Sequence, residues 1–115
     1  MFRVLAASLT LAAGLAGAAE ATTPVPGPIT LTLQDHRFTP ATITVPAGQR
    51  VQLIIVNQDG ATEEFDSHDL RVEKLVTPHA RASVFIGPLN PGAYSFMGEF
   101  HPGTAQGHVI AVAGR

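Results

Sequence analysis

Between residues 29 and 112 the chain consists of short apolar–polar alternations broken by proline and glycine, and no window carries the helical period. Ile29, Leu31 and Leu33 alternate with Thr30, Thr32 and Gln34, the period-two pattern of a strand that buries one face. A second short strand is expected over 42–45, ended by the turn Pro46-Ala47-Gly48. "RVQLIIVN" (50–57) is rich in β-branched residues and reads as a central strand. Further strands are expected over 69–76, with Leu70 and Val72 on one face, then in "ASVFIGPL", in "AYSFMG" after the Asn90-Pro91-Gly92 turn, and in "HVIAV". About seven strands with such turns predict an all-β antiparallel sandwich with Greek-key connections. Residues 58–67 do not alternate like a returning strand, so they are expected to form a functional loop.

The 115 residues leave room for one domain. Met1-Phe2-Arg3 is a short positive region, followed by the uncharged run "VLAASLTLAAGLAGA". Two A-x-A cleavage patterns follow, Ala16-Gly17-Ala18 and Ala19-Glu20-Ala21. This is the pattern of a secretory signal peptide over 1–21, and the run is shorter than the ~20 residues a bilayer span needs. A Pro-rich arm (22–28) then leads into the domain at 29–115. The expected address is a bacterial periplasm, with no membrane span in the mature chain.

There is no cysteine. That excludes disulfides, a thiolate nucleophile, cysteine-ligated zinc, iron–sulfur clusters and a type 1 blue-copper centre, which needs a thiolate. A formal net charge of −2 is too small to argue for nucleic-acid or membrane partners. The acids are nonetheless clustered. Asp59, Glu63, Glu64, Asp66 and Asp69 fall within eleven residues that contain no Lys or Arg. The serines lack a G-x-S-x-G elbow, so a hydrolase has no basis here.

"FTPATITVPAGQRVQLIIVNQD", "SHDL", "PGAYSFMGEFH" and "GHVIAV" together resemble the cupredoxins over 29–112. "EEFDSHDLRVEK", "IGPLNPGAYSFMGEFH" and "TAQG" are more specifically similar to EfeO-type cupredoxin-like domains of bacterial periplasmic iron-uptake systems. The resemblance implies a cupredoxin-like Greek-key sandwich or barrel and a site for iron, copper or both. Laid on the blue-copper pattern, His68 falls at the first imidazole, His101 at the second, and Gly98 at the cysteine. Gln106 falls at or near the axial methionine.

Iron favours carboxylate and imidazole donors. In extended backbone, side chains two apart share a face, so Glu64, Asp66 and His68 are expected to project together, in phase with core-facing Leu70 and Val72. On the following segment Met97, Glu99 and His101 share the other parity from Gly98. The expected metal site is therefore Glu64, Asp66, Glu99 and His101, with His68 and Met97 as further ligands. Gly98 is expected to leave space where a cysteine would stand. His36 could reach the same end, whereas Glu73-Lys74 is expected to be a surface pair. The leading expectation is a periplasmic metal-binding protein for ferrous-iron uptake, with Fe²⁺ oxidation before transfer to a membrane permease as its further step. A copper carrier using His68, Met97 and His101, and a non-metal interaction module on the same fold, remain open beside it.

Overall fold

A computed structural model describes residues 26–114. The leader expected over 1–21 and the first residues of the arm lie outside the described residues. Nine strands follow: β1 (Ile29–Gln34), β2 (Arg37–Thr39), β3 (Thr42–Pro46), β4 (Val51–Asn57), β5 (Glu63–Ser67), β6 (Val72–Val76), β7 (Arg81–Ile86), β8 (Gly92–Gly98) and β9 (Gln106–Val112). They form a four-stranded sheet in the order β2-β1-β4-β7 and a five-stranded sheet in the order β3-β9-β8-β5-β6.

Seven of these strands match the sequence reading, and the other two have physical reasons for escaping it. β2 is three residues long, with only Phe38 buried. β5 lies where a loop was expected, because two of its three inward positions are the polar residues Glu63 and Ser67. Its alternation is real but is not hydrophobic. The sandwich is also not wholly antiparallel. β1 runs parallel to β4, and β3 parallel to β9.

The two sheets bury one core. Leu31 and Leu33 of β1, Leu53 and Ile55 of β4, and Val84 and Ile86 of β7 face Val45, Phe65, Phe96 and Val109 of the other sheet. Full burial of such a side chain contributes about 1.5–3 kcal/mol. Phe38, Phe65 and Phe96 form an aromatic triangle with ring centroids 5.1–5.9 Å apart. At the end of the sandwich beside it the β1–β2 turn, the start of β5 and the loop after β8 come together.

Candidate metal centre

Asn57, the last residue of β4, organises the approach to this end. It is buried, and its side-chain amide donates to the carbonyls of Ala61 (2.8 Å) and Val76 (3.0 Å). Its Oδ1 accepts the Asp59 N–H at 2.9 Å. The short loop thus anchored delivers the chain into β5 with Glu63 pointing inward.

Glu63 is only 2% exposed, and both its oxygens are hydrogen-bonded. Oε1 accepts the backbone N–H of Phe100 (2.8 Å) and of Glu64 (3.1 Å), and Oε2 accepts from His101 Nδ1 (2.5 Å). A buried carboxylate without such partners would be costly. His101 stands in the loop after β8. That loop is closed by Gly98 N–H to Ala105 O (2.8 Å) and Ala105 N–H to His101 O (2.9 Å). From the β1–β2 turn His36 lays its ring on His101, with centroids 3.5 Å apart and planes 12° from parallel. One ligand atom each from His36, Glu63 and His101 lie within 4.8 Å of one another.

Gly98 pairs across the strands with Phe65 and lies against the Glu63 side chain. A Cβ built at position 98 would lie 2.6 Å from Glu63 Cδ and 2.7 Å from the Ala105 methyl. The space expected to stand vacant at the cysteine position is therefore occupied by the Glu63 carboxylate.

The single site expected from the sequence is divided between the two faces of the five-stranded sheet. Glu64, Asp66, Met97 and Glu99 do share one face, but it is the outward one. There Glu64, Asp66 and Glu73 bring carboxylate oxygens within 4.8 Å, and Glu99 lies close enough to Glu64 to raise its carboxyl. Met97 pairs across the strands with Asp66 and is 40% exposed. His101 belongs to the inward cluster instead, because strand alternation ends at Gly98 and the chain turns. Glu73, expected outside the site, joins the acidic face, while Lys74 is exposed beside it. His68 is exposed in the β5–β6 turn and borders a cleft with Asp66, Arg71 and Glu73.

The expectation that Glu64 and Asp66 lie in phase with Leu70 and Val72 is corrected by register. Ser67 pairs with Val72 and Glu63 with Val76, so inward odd-numbered residues of β5 face inward even-numbered residues of β6. The four-residue turn between them exchanges the parity. Partial desolvation raises the Glu64 carboxyl above its usual range, reinforced by the proximity and negative charge of Glu99 and by Glu73 and Asp66. Asp69, outside both clusters, is held low by hydrogen bonds from the Ser95 N–H and hydroxyl.

Sequence reasoning missed Glu63 and gave His36 only a marginal place. The available signal was Phe65. As the sole large apolar residue of "EEFDS" it had to face the core, which places Glu63, not Glu64, on the same side.

The cupredoxin-like domain family matches residues 3–111, and the chain belongs to that family. It is 45% identical over 82 residues to the uncharacterized protein RP394 of Rickettsia prowazekii (strain Madrid E), covering 71% of this chain and 66% of that protein. Among solved structures, amicyanin from Paracoccus versutus superposes with a TM-score of 0.59 at 15% identity, covering 77% of this chain and 86% of amicyanin. The metal-binding domain of the Streptococcus pneumoniae D39 Cu(I)-exporting P-type ATPase CopA, solved with Cu(I), gives 0.63 at 13% identity, covering 74% and 84%. At these identities the likeness is one of fold. No helix is long and apolar enough to cross a membrane among the described residues.

Proposed function

We propose that this chain is an exported metal-binding protein that takes a divalent cation at His36 and His101, with Glu63 orienting His101, and serves ferrous-iron uptake. The observation that carries this reading is the convergence of two imidazoles and a buried carboxylate against Gly98. Fe²⁺, Zn²⁺ and Cu²⁺ accept such donors, whereas Cu(I) favours thiolate and thioether. A type 1 copper centre does not fit, because the chain has no cysteine and Glu63 fills the volume beside position 98. Glu63 accepts the hydrogen bond of the His101 Nδ1–H, which fixes the ring and leaves Nε2 as the ligand nitrogen.

The outward face is part of the same proposal. Glu64, Asp66 and Glu99, with Glu73 and Met97 beside them and His68 at the border, are proposed as a cation-attracting surface. Carboxylate-rich surroundings hold Fe³⁺ more tightly than Fe²⁺. That preference lowers the potential of a bound Fe³⁺/Fe²⁺ couple and lets dioxygen, as the one-electron acceptor, oxidise Fe²⁺ before hand-over to a membrane permease. The periplasmic address rests on the leader pattern at 1–21. A copper-carrying role is the second reading, favoured by the fold shared with the Cu(I)-bound CopA domain.

The test is calorimetric titration of the metal-free protein with anaerobic Fe²⁺, Zn²⁺ and Cu²⁺, repeated on His101→Ala. Binding of Fe²⁺ and Zn²⁺ that falls roughly tenfold or more in the variant supports the reading. Absence of binding for all three ions removes it. Binding of Cu²⁺ alone favours the copper role only weakly, since Cu²⁺ outcompetes other divalent ions at most sites.

A further inference from the structure

His36 stands on a tight turn whose backbone conformation is uncommon for any residue but glycine. Gln34 pairs with Arg37, so Asp35 and His36 alone reverse the chain. Both have positive φ, 52° and 57°. This is the pattern of a type I′ hairpin, which ordinarily selects Asn-Gly. A side chain in the left-handed region is uncommon, and such a conformation persists where its surroundings enforce it.

The enforcing group is Asp59. Its Oδ1 accepts the Asp35 N–H at 2.7 Å, and its Oδ2 accepts the His36 N–H at 3.0 Å. The same Oδ2 lies 3.5 Å from His36 Nδ1. Asp59 is itself tied to buried Asn57 through its own N–H, and its carbonyl accepts the His79 N–H at 3.2 Å. A line of hydrogen bonds thus runs from the end of β4 to the backbone of His36, whose ring rests on His101. Burial pushes the Asp59 carboxyl upward, but the two backbone N–H groups, with His36 and His101 nearby, hold it below its usual range.

We propose that Asp59 is a positioning residue: it holds the strained turn that carries His36 over His101 and keeps the His36 proton on Nδ1, so that Nε2 is offered to the metal. This rests on the metal-binding reading above. A turn with no task beyond reversing the chain is served best by glycine at position 36. Both turn N–H groups end on one carboxylate and the His36 ring rests on a second imidazole, and this pairing ties the turn to the site. His36 and His101 then each have a carboxylate on the Nδ1 side, hydrogen-bonded at 2.5 Å for His101 and 3.5 Å away for His36.

The test compares the wild type with Asp59→Asn, using Zn²⁺ titration and long-range proton–nitrogen correlation of the imidazoles in metal-free protein. An asparagine offers one oxygen for two backbone donors, so the turn loses a partner while size is kept. The expected result is Zn²⁺ affinity lower by roughly tenfold or more, with His36 nitrogens moved toward a mixture of tautomers and His101 unchanged. Wild-type affinity together with wild-type His36 nitrogen shifts overturns the proposal. Should Asp59→Asn fold poorly, Asp35→Gly in the same background relieves half of the strain. That double variant should regain stability but not affinity, and regained affinity overturns the proposal equally. If the wild type itself binds no Zn²⁺, the metal reading fails, and the His36 nitrogen shifts still decide whether Asp59 positions the ring.

Discussion

Gly98 and Glu63 compete for one volume: a Cβ at position 98 would lie 2.6 Å from Glu63 Cδ and 2.9 Å from Oε1. The absence of a side chain at position 98 of β8 is therefore what leaves room for the Glu63 carboxylate of β5. Gly98→Ala should cost about 1–3 kcal/mol as overpacking, measured by urea denaturation. In a Glu63→Ala background the same substitution should cost less, with the Ala105 methyl still in the way. Equal costs in both backgrounds would show that the two residues do not share the space.

Glu63→Gln separates fold from site. The glutamine oxygen can still accept the Phe100 N–H, so the loss of stability should stay within about 1–3 kcal/mol. Its amide group, however, would face His101 Nδ1 with a donor, forcing the imidazole proton onto Nε2. Metal affinity should fall by roughly tenfold or more while the fold is retained. An unchanged affinity in the titration would remove Glu63 from the site.

Glu64 provides the pH test. Its carboxyl is raised in the folded chain by desolvation and by Glu99, Glu73 and Asp66. A raised group adds stability at pH below its unfolded value, and that stability is lost as pH rises through the folded value. At neutral pH the ionised Glu64 therefore burdens the metal-free protein. Glu64→Gln should raise the melting temperature at about pH 7 and leave little difference once carboxyls are protonated, at about pH 3. Asp69 is the opposite case. Its depressed value adds stability above the unfolded range that is lost as pH falls through the folded one, so Asp69→Asn should lower the neutral-pH melting temperature.

Copper loading should give only weak absorption. With no thiolate in the chain, an intense sulfur-to-copper charge-transfer band has no donor. A visible spectrum of purified protein titrated with Cu²⁺ checks this, and a strong blue colour would contradict it.

Metal should stabilise the fold in a pH-dependent way. Binding adds stability set by free ion concentration over the dissociation constant, and it requires imidazole nitrogen free of its proton. A melting-temperature rise with Zn²⁺ at about pH 7 should largely disappear at about pH 5. A rise of equal size at both values would place the bound ion away from the histidines.

The strands with apolar alternation were legible from the sequence because their inward residues are the ones water rejects: Leu31 and Leu33, Leu53 and Ile55, Val109 and Ala111. So was the absence of a thiolate, which is a matter of composition. What the sequence left open was which carboxylates and imidazoles meet, because that depends on pairing between distant segments. The four-residue turn between β5 and β6 exchanges the inward parity, and only the register of Ser67 with Val72 reveals it. Glu63 is inward because Phe65 beside it must be, and it can stay there because Gly98, on another strand, has no side chain. His36 reaches His101 because Asp59 holds a turn that local preference opposes. Burial is written residue by residue along the chain, but a site made of polar groups exists only where tertiary contacts satisfy their hydrogen bonds.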